Sequence, residues 1–237
     1  MLLFLCSSFN LPDENKFIGR KVENILLQDA KGRQYELFSL LNKKPIILSP
    51  IYTKCPSTCS IVSNGLKEST DRLGTLGKDF FIVSFSFDSS DRKEELENFE
   101  SHWNIDGETW RATTASYPEI QKLLKSLDYQ YDISNSGEFI HPNVIIILTP
   151  SGRISRYIYG LTPKAKDIKL AVLEASTEKT RLSLFKGLYL KCFAFDPVTK
   201  TYLLNWGFII STSAGIFFII IISTLLLKTF KTARINE

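Results

Sequence analysis

Short apolar runs alternate with amphipathic segments along the chain from Val22 onward. Residues 45–52, PIILSPIY, and residues 80–87, FFIVSFSF, are rich in Ile, Val and Phe, and such continuous apolar runs predict buried central strands. Between them, residues 56–73 carry apolar side chains at helical spacing. A strand, a helix and a second strand in this order predict a β-α-β unit, and hence an α/β domain whose sheet is at least partly parallel.

The rest of this region is also predicted to be regular. Residues 143–160 contain two strand-like runs on either side of Ser151-Gly152, a pair that favours a hairpin turn. Asp91 followed by Glu94 resembles a helix-capping pair for a helix over residues 91–103. The other predicted elements are a turn and short strand over 31–41, a helix over 117–127 and an amphipathic helix over 163–176.

An appendage follows this domain. A chain of 237 residues with 44% hydrophobic content has room for one full core and a smaller addition. Residues 206–227 contain no charge, and as a helix they would be about 33 Å long, enough to cross a bilayer core of about 30 Å. This predicts a single transmembrane helix. Because Lys228, Lys231 and Arg234 follow it, we expect residues 228–237 to form a cytoplasmic tail and the main domain to lie on the other side.

Small residues recur every four positions in the predicted membrane helix, at Gly207, Ser211 and Gly215. This spacing lets two membrane helices approach closely, which would give a homodimer. The alternative is a plain lipid-facing stripe, and the spacing alone does not separate the two.

Residues 1–16 raise the question of export. They begin with the apolar run MLLFLCSSF, which is very short, and no basic residue precedes Lys16, so the segment makes a poor signal peptide. A domain outside the cytoplasm still needs an export signal. We expect either a remnant of a signal whose true start lies upstream or an unusual signal.

The charge balance argues against nucleic acid as a partner. The chain has 29 basic and 25 acidic residues, and the tail holds three of the former and one of the latter, which leaves 26 and 24. A nearly neutral domain lacks the basic excess of a nucleic-acid-binding surface. The orientation predicted above also permits disulfide chemistry among the chain's four cysteines.

Cys55 and Cys59 lie at the first strand-to-helix junction. If Cys55 caps the helix and Pro56 takes its first position, both sulfurs fall on one face of the first turn, with Cβ atoms about 5–6 Å apart. The positive helix N-terminus favours thiolate, so we expect the pair to be more acidic and more reactive than buried structural cysteines. Spacing alone leaves a redox pair, a metal clamp and two buried thiols open.

A third ligand would separate these alternatives, and the chain has only two histidines. His141 precedes Pro142, which favours extended backbone, and the apolar run 144–148, so we expect it at the mouth of a central strand. His102 lies within a predicted helix and is most simply a surface or packing residue. Two thiolates and one imidazole suit copper, whereas zinc in structural sites usually takes a fourth protein ligand.

Three segments resemble the SCO/SenC family of copper-binding, thioredoxin-fold assembly factors: IYTKCPSTC, FIHPNVIIILTPSGRISRYIYG and DIKLAVLEAS. The similarity runs over most of residues 17–177, although the loop FDSSDRKEE lacks the prolines common in relatives. It is closest to a bacterial branch with a C-terminal membrane helix, in which a segment like KCFAFDPVTKTY, residues 191–202, recurs.

The resemblance implies a thioredoxin-like domain over 17–177 that binds one copper, Cu(I) or Cu(II), per chain through Cys55, Cys59 and His141, followed by a linker over 178–205. It further implies delivery of copper to, or thiol reduction of, the dinuclear copper site in cytochrome c oxidase subunit II, with other copper chaperones or thioredoxin-like reductases as further partners. The protein would be a metallochaperone rather than an enzyme. It would sit in the bacterial inner membrane with its main domain in the periplasm.

Two other functions compete with this interpretation. A copper-independent thiol-disulfide oxidoreductase would use the same cysteines, but most such enzymes have a two-residue gap and need no distant histidine. A peroxiredoxin-type peroxidase is suggested by Pro50, Thr53 and Cys55, yet the spacing does not fit. Asp88 and Asp132 could line the site or steer a partner, but solvated turn positions are the simpler explanation. Cys192 could be a second redox or metal group near the membrane, but an unpaired linker cysteine is the simpler explanation.

Overall fold

The computed structural model describes residues 11–41, 43–55, 58–135, 137–177 and 189–235. The chain divides into two compact units, Met1–Arg181 and Leu182–Glu237. The predicted α/β class is confirmed in the first unit, whose elements alternate between strands and helices. Its helices are α1 (Glu14–Phe17), α2 (Thr58–Leu73), α3 (Lys93–Trp103), α4 (Tyr117–Ser126) and α5 (Ala165–Ser176).

A seven-stranded mixed sheet forms the centre of the first unit. A separate two-stranded sheet is formed by residues between the fifth and eighth strands of the chain. The order across the large sheet is β2-β1-β5-β4-β3-β8-β9, and β6 pairs with β7. The strands are β1 (Leu26–Asp29), β2 (Gln34–Glu36), β3 (Ile46–Ile51), β4 (Phe81–Ser86), β5 (Trp110–Thr114), β6 (Asp132–Ile133), β7 (Phe139–Ile140), β8 (Val144–Leu148) and β9 (Ile154–Tyr159).

The predicted β-α-β unit is confirmed as β3-α2-β4. Strands β3 and β4 run parallel, with Ile46 opposite Phe81, and β3 is buried along its whole length. A strand that is covered on both faces explains the unbroken apolar run that marked it in the sequence. The loop between β3 and α2 carries Cys55 and therefore lies at the carboxyl end of a central strand.

The predicted hairpin over 143–160 is confirmed as β8 and β9, which pair antiparallel. Gly152 in its turn has a φ of +79°, and a Cβ there would come within 2.7 Å of the Phe38 ring, so a side chain is excluded on both counts. On its other edge β8 pairs antiparallel with β3, with Ile46 opposite Leu148. This pairing brings the start of β8 to the end of β3.

The sheet and α4 share one apolar core. Strand residues such as Leu48, Phe85 and Ile146 are fully buried in the same cluster as Ile120 and Leu123 of α4. Burying a large aliphatic side chain contributes roughly 1.5–3 kcal/mol. This rigid core fixes the strand ends from which the site residues project.

The prediction that Asp91 caps the following helix is wrong. Helix α3 begins at Lys93, and the capping carboxylate belongs to Glu95, which accepts a hydrogen bond from the backbone N–H of Arg92. The Asp91 side chain is buried and turned away from the helix, toward the loop that precedes α2. Hydrogen bonds to Thr53 and Ser86, which lie elsewhere in the fold, therefore take the place of the predicted cap on α3.

The second unit contains a hairpin within the range predicted to be a linker. Strands β10 (Phe193–Asp196) and β11 (Thr201–Leu204) pair antiparallel over four residue pairs. The start of the linker, residues 178–188, lies outside the described residues, as do residues 1–10 of the predicted export segment.

The hairpin leads into α6 (Trp206–Ile235). Among the described residues, one helix is long and apolar enough to cross a membrane, and its most apolar stretch is Trp206–Leu225 with a mean hydropathy of 2.3. This stretch is compatible with the predicted single-pass anchor.

Candidate metal centre

Three donor side chains converge at one edge of the sheet. One ligand atom from each of Cys55, Cys59 and His141 lies within 4.8 Å of the others. The cysteines follow β3 and the histidine precedes β8, and these neighbouring strands are antiparallel, so the end of one meets the start of the other. Strand pairing thus brings together side chains that are 82 positions apart in the chain.

The Cys55 sulfur lies in a web of hydrogen bonds at the start of α2. It accepts a bond from the backbone N–H of Cys59 at 3.3 Å and lies 3.8 Å from the hydroxyl of Thr58. The hydroxyl of Tyr52 also bonds to Cys55, and burial together with this bond raises the pKa of Tyr52. Pro56, predicted to be the first helical residue, lies outside the described residues.

The two sulfurs differ in exposure. Cys55 is half-buried, whereas Cys59 is only 6% exposed. Burial raises the pKa of the Cys59 thiol, so the prediction that both cysteines are acidified is wrong for this residue. A helix N-terminus stabilises a charge by roughly 0.3–1 kcal/mol, and the cost of removing a thiolate from water is larger here.

His141 is also buried, with 8% of its surface exposed. Its Nε2 atom lies 3.7 Å from the sulfur of Cys59, and its Nδ1 atom lies 2.9 Å from the hydroxyl of Tyr129 and 3.2 Å from the carbonyl oxygen of Pro142. Burial lowers the pKa of His141, which favours the neutral imidazole that binds metals.

Aromatic rings surround the imidazole. Tyr52 and Phe87 each meet the His141 ring edge to face, with centroids 5.7 Å and 5.3 Å away. Phe139, just before His141, packs against both of these rings. This apolar wall lowers the local dielectric and restricts the rotation of the ring.

A buried carboxylate holds the cysteine loop in place. Asp91 accepts hydrogen bonds from the backbone N–H of Thr53 at 2.9 Å and from its hydroxyl at 2.6 Å. It also accepts a bond from the hydroxyl of Ser86, at the end of β4, at 2.6 Å. The loop of Cys55 is therefore tied to the neighbouring parallel strand, a role that sequence reasoning missed because the local pattern around Asp91 indicated a cap.

We expect Asp91→Ala to destabilise the protein by about 2–4 kcal/mol, because two donors of the half-buried Thr53 and the buried hydroxyl of Ser86 lose their partner together. Chemical denaturation of the isolated protein would measure the change. Asp88→Ala is the matched control, since the carboxylate of Asp88 accepts only a local bond from the N–H of Ser90 among the hydrogen bonds described for it. Equal losses in the two variants would contradict the proposed tie.

The other candidate residues do not belong to this group of donors, although His102 lines a groove that also reaches the two cysteines. His102 is exposed on α3 and its ring packs against Trp103 at 4.7 Å. Asp132 is exposed in β6 and Asp88 is half-buried. Cys192 belongs to the second unit, where its backbone N–H donates to the carbonyl oxygen of Tyr189.

A groove of about 370 Å³ opens beside the two cysteines. Its far wall is formed by α3, with Phe99 and Trp103 among the lining residues. The half-buried sulfur of Cys55 is thus accessible from this side.

Comparison with known proteins agrees with this architecture. The SCO1/SenC family model matches residues 24–174. A putative electron transfer protein from Aquifex aeolicus VF5 is 36% identical with a TM-score of 0.65, and the alignment covers 69% of this chain and 97% of that one. BsSco, described as a member of the Sco family of cytochrome c oxidase assembly proteins, is 25% identical with a TM-score of 0.60 over 68% of this chain and 96% of its own.

More distant structures share the fold. Copper-bound ScoI from Arabidopsis thaliana is 18% identical with a TM-score of 0.57, over 68% of this chain and all of its own. A search of curated proteins finds no match. The predicted thioredoxin-like fold is confirmed, and the match over residues 24–174 shows that the chain belongs to the SCO1/SenC family.

Proposed function

We propose that the protein is a membrane-tethered copper-binding protein that delivers copper to, or reduces the thiols of, the dinuclear copper site of cytochrome c oxidase subunit II. The observation that carries the proposal is the convergence of Cys55, Cys59 and His141 within 4.8 Å. Reduced cysteines would hold the metal, and their oxidation to a disulfide would release it. The protein would act as a metallochaperone.

The donor set fits copper. Soft thiolates favour Cu(I), and an imidazole nitrogen helps to accommodate Cu(II). Among the described residues, the group has three donors and not the four of a structural zinc site. The copper-bound relatives from Arabidopsis thaliana and Bradyrhizobium japonicum support the same metal. One copper per chain would be held by Cys55, Cys59 and His141.

The partner is inferred from the family. BsSco is described as belonging to a family of cytochrome c oxidase assembly proteins, and a dinuclear copper site is the component of such an oxidase that needs both copper and reduced thiols. Other copper chaperones or thioredoxin-like reductases would load or reduce the protein. The groove beside Cys55 offers an approach for such partners.

The membrane arrangement is part of the proposal. Residues 206–227 would span the inner membrane of a bacterium, with the tail 228–237 in the cytoplasm and the domain 17–177 in the periplasm. The chain would then belong to the C-terminally anchored bacterial branch, with 178–205 as the connection to the membrane helix. Dimerisation through Gly207, Ser211 and Gly215 remains a prediction.

Copper titration of the full chain in detergent micelles, with Cu(I) and a competing chelator, tests the proposal. We expect one copper per chain, weakened by His141→Ala, and transfer of that copper to the soluble domain of subunit II. Transfer is followed by the absorption of the assembled dinuclear centre. Tight binding that survives loss of His141 and of the cysteines would eliminate this site.

A copper-independent thiol-disulfide oxidoreductase is the second candidate. Two reduced sulfurs in reach of each other, one of them accessible from a groove, are sufficient for disulfide exchange. The metal-free, reduced protein would then reduce a disulfide in subunit II at full rate. The His141→Ala variant discriminates, because it would retain this activity and lose copper affinity.

We expect the Cu(I) affinity to rise with pH. Burial raises the pKa of the Cys59 thiol, so this cysteine is protonated near neutral pH and the metal must displace its proton. For one proton released, the apparent affinity increases about tenfold per pH unit while the pH stays below that pKa. Titrations at pH 6, 7 and 8 measure the slope, and a pH-independent affinity would contradict a protonated ligand.

A further inference from the structure

Tyr129 lies behind the candidate ligand His141, on the side away from the cysteines. It follows α4 and is 3% exposed. Its backbone N–H donates to the carbonyl oxygen of Leu124 at 2.9 Å, and its ring packs against Phe87 with centroids 5.6 Å apart. Both the backbone and the ring of this tyrosine are therefore held by the core.

The contacts of the Nδ1 atom favour one tautomer of His141. Nδ1 lies 2.9 Å from the Tyr129 hydroxyl and 3.2 Å from the carbonyl oxygen of Pro142, and that hydroxyl lies 3.4 Å from the same carbonyl. If Nδ1 carries the proton, it donates to the hydroxyl oxygen, and the hydroxyl donates to the carbonyl. If Nδ1 is bare, the Tyr129 hydroxyl donates to it and no longer to the carbonyl, and the Nδ1 lone pair faces the lone pairs of the Pro142 carbonyl. That arrangement has one hydrogen bond fewer and one repulsive contact more, so it is the less favourable one.

The opposite ring atom, Nε2, points toward the sulfurs, 3.7 Å from Cys59. A neutral imidazole with its proton on Nδ1 has its free lone pair on Nε2. The hydrogen bond to one ring nitrogen thus decides whether the other is available as a ligand.

We propose that Tyr129 is a positioning residue that keeps the proton of His141 on Nδ1 and thereby presents the Nε2 lone pair to a metal held by Cys55 and Cys59. The inference rests on the proposed copper site and adds a residue to it. Because the thiolates hold Cu(I) and the nitrogen helps to accommodate Cu(II), Tyr129 acts chiefly on the oxidised metal.

The variant Tyr129→Phe tests this role, since it removes one hydroxyl and keeps the packing ring. Tyr157→Phe is the matched control: this tyrosine is also fully buried, and its hydroxyl donates to the carbonyl oxygen of Leu127. Both variants lose a buried hydroxyl that is hydrogen-bonded within the core. Only Tyr129→Phe loses a hydroxyl that is bonded to His141. Thermal unfolding of both checks that the fold is retained.

The first measurement uses the metal-free, reduced protein. Long-range proton–nitrogen correlation of the His141 ring reports which nitrogen is protonated. We expect an Nδ1–H ring in the wild type and in Tyr157→Phe. In Tyr129→Phe we expect a partial shift toward the Nε2–H form, because Nδ1 loses its nearer partner and keeps the Pro142 carbonyl at 3.2 Å. An Nε2–H ring in the wild type would overturn the inference without any variant.

The second measurement is titration with Cu(II) and, separately, Cu(I). Loss of an outer-shell partner costs about 10- to 100-fold in metal affinity, so we expect at least a tenfold loss for Cu(II) in Tyr129→Phe and a smaller one for Cu(I). Equal Cu(II) affinities in Tyr129→Phe and the wild type, or equal losses in both variants, would overturn the inference. A wild type that binds no copper would refute the proposed function. The ring spectra would then still test whether Tyr129 keeps the proton of His141 on Nδ1.

Discussion

Replacing Cys55 with serine is expected to abolish tight Cu(I) binding. The substitution removes one of two soft sulfur donors and leaves a hydroxyl, which is a poor ligand for Cu(I). The loss should exceed the roughly 10- to 100-fold that removal of an outer-shell partner costs, because a direct metal bond is lost. Cys55 is also the more accessible sulfur of the pair, so the variant is not expected to disturb the core.

Competition with a Cu(I) chelator measures this loss, and Cys192→Ser provides the control. Cys192 is a half-buried free cysteine that does not belong to the group of three donors, so its replacement removes a thiol and leaves all three candidate ligands in place. We expect the control to bind one copper with unchanged affinity. If Cys192→Ser loses copper and Cys55→Ser retains it, the metal is held elsewhere in the chain.

Oxidation of Cys55 and Cys59 to a disulfide is expected to abolish copper binding completely. The two thiols lose two protons and two electrons to an added oxidant such as diamide, which is reduced to its hydrazine, and one sulfur–sulfur bond forms. The pair lies close enough for this step, since the ligand atoms of the site are within 4.8 Å. Because a thiolate binds copper and a disulfide sulfur does not, the redox state of the pair acts as a switch.

The experiment uses a Cys6→Ser/Cys192→Ser background, which leaves Cys55 and Cys59 as the two cysteines of the chain. A linkage between two chains through either of the other cysteines is then excluded. Copper content is measured after oxidation and again after treatment with a dithiol reductant. We expect no bound copper in the oxidised protein and one per chain after reduction. Copper that stays bound after both thiols are shown to be oxidised would contradict the switch.

The regular elements of the first unit could be predicted from local pattern. Strand β3 (Ile46–Ile51) and strand β4 (Phe81–Ser86) lie inside the ranges predicted for them, because buried parallel strands need continuous apolar runs. The small sheet of β6 and β7 was not predicted. Its strands have two residues each, too few for any alternation to be visible.

The predictions from sequence were wrong where contacts with residues distant in the chain determined the behaviour of a side chain. Asp91 follows the sequence pattern of a helix cap, but its carboxylate bonds to Thr53 and Ser86. Cys59 lies in the first turns of a helix, but burial raises its pKa. The role of Tyr129 left no signal in the sequence, since nothing local distinguishes it from another core tyrosine.

The sequence alone determined the order of strands and helices, the position of the cysteine pair behind a central strand and the apolar C-terminal helix, because each of these depends on residues close together in the chain. The approach of His141 to the sulfurs, the exposure of Cys55 and burial of Cys59, and the partners of Asp91 and Tyr129 were decided only by the tertiary structure. Hydrogen bonding between β3 and β8 joins distant segments, and desolvation depends on everything packed around a group. Neither quantity is encoded in any local window of the chain.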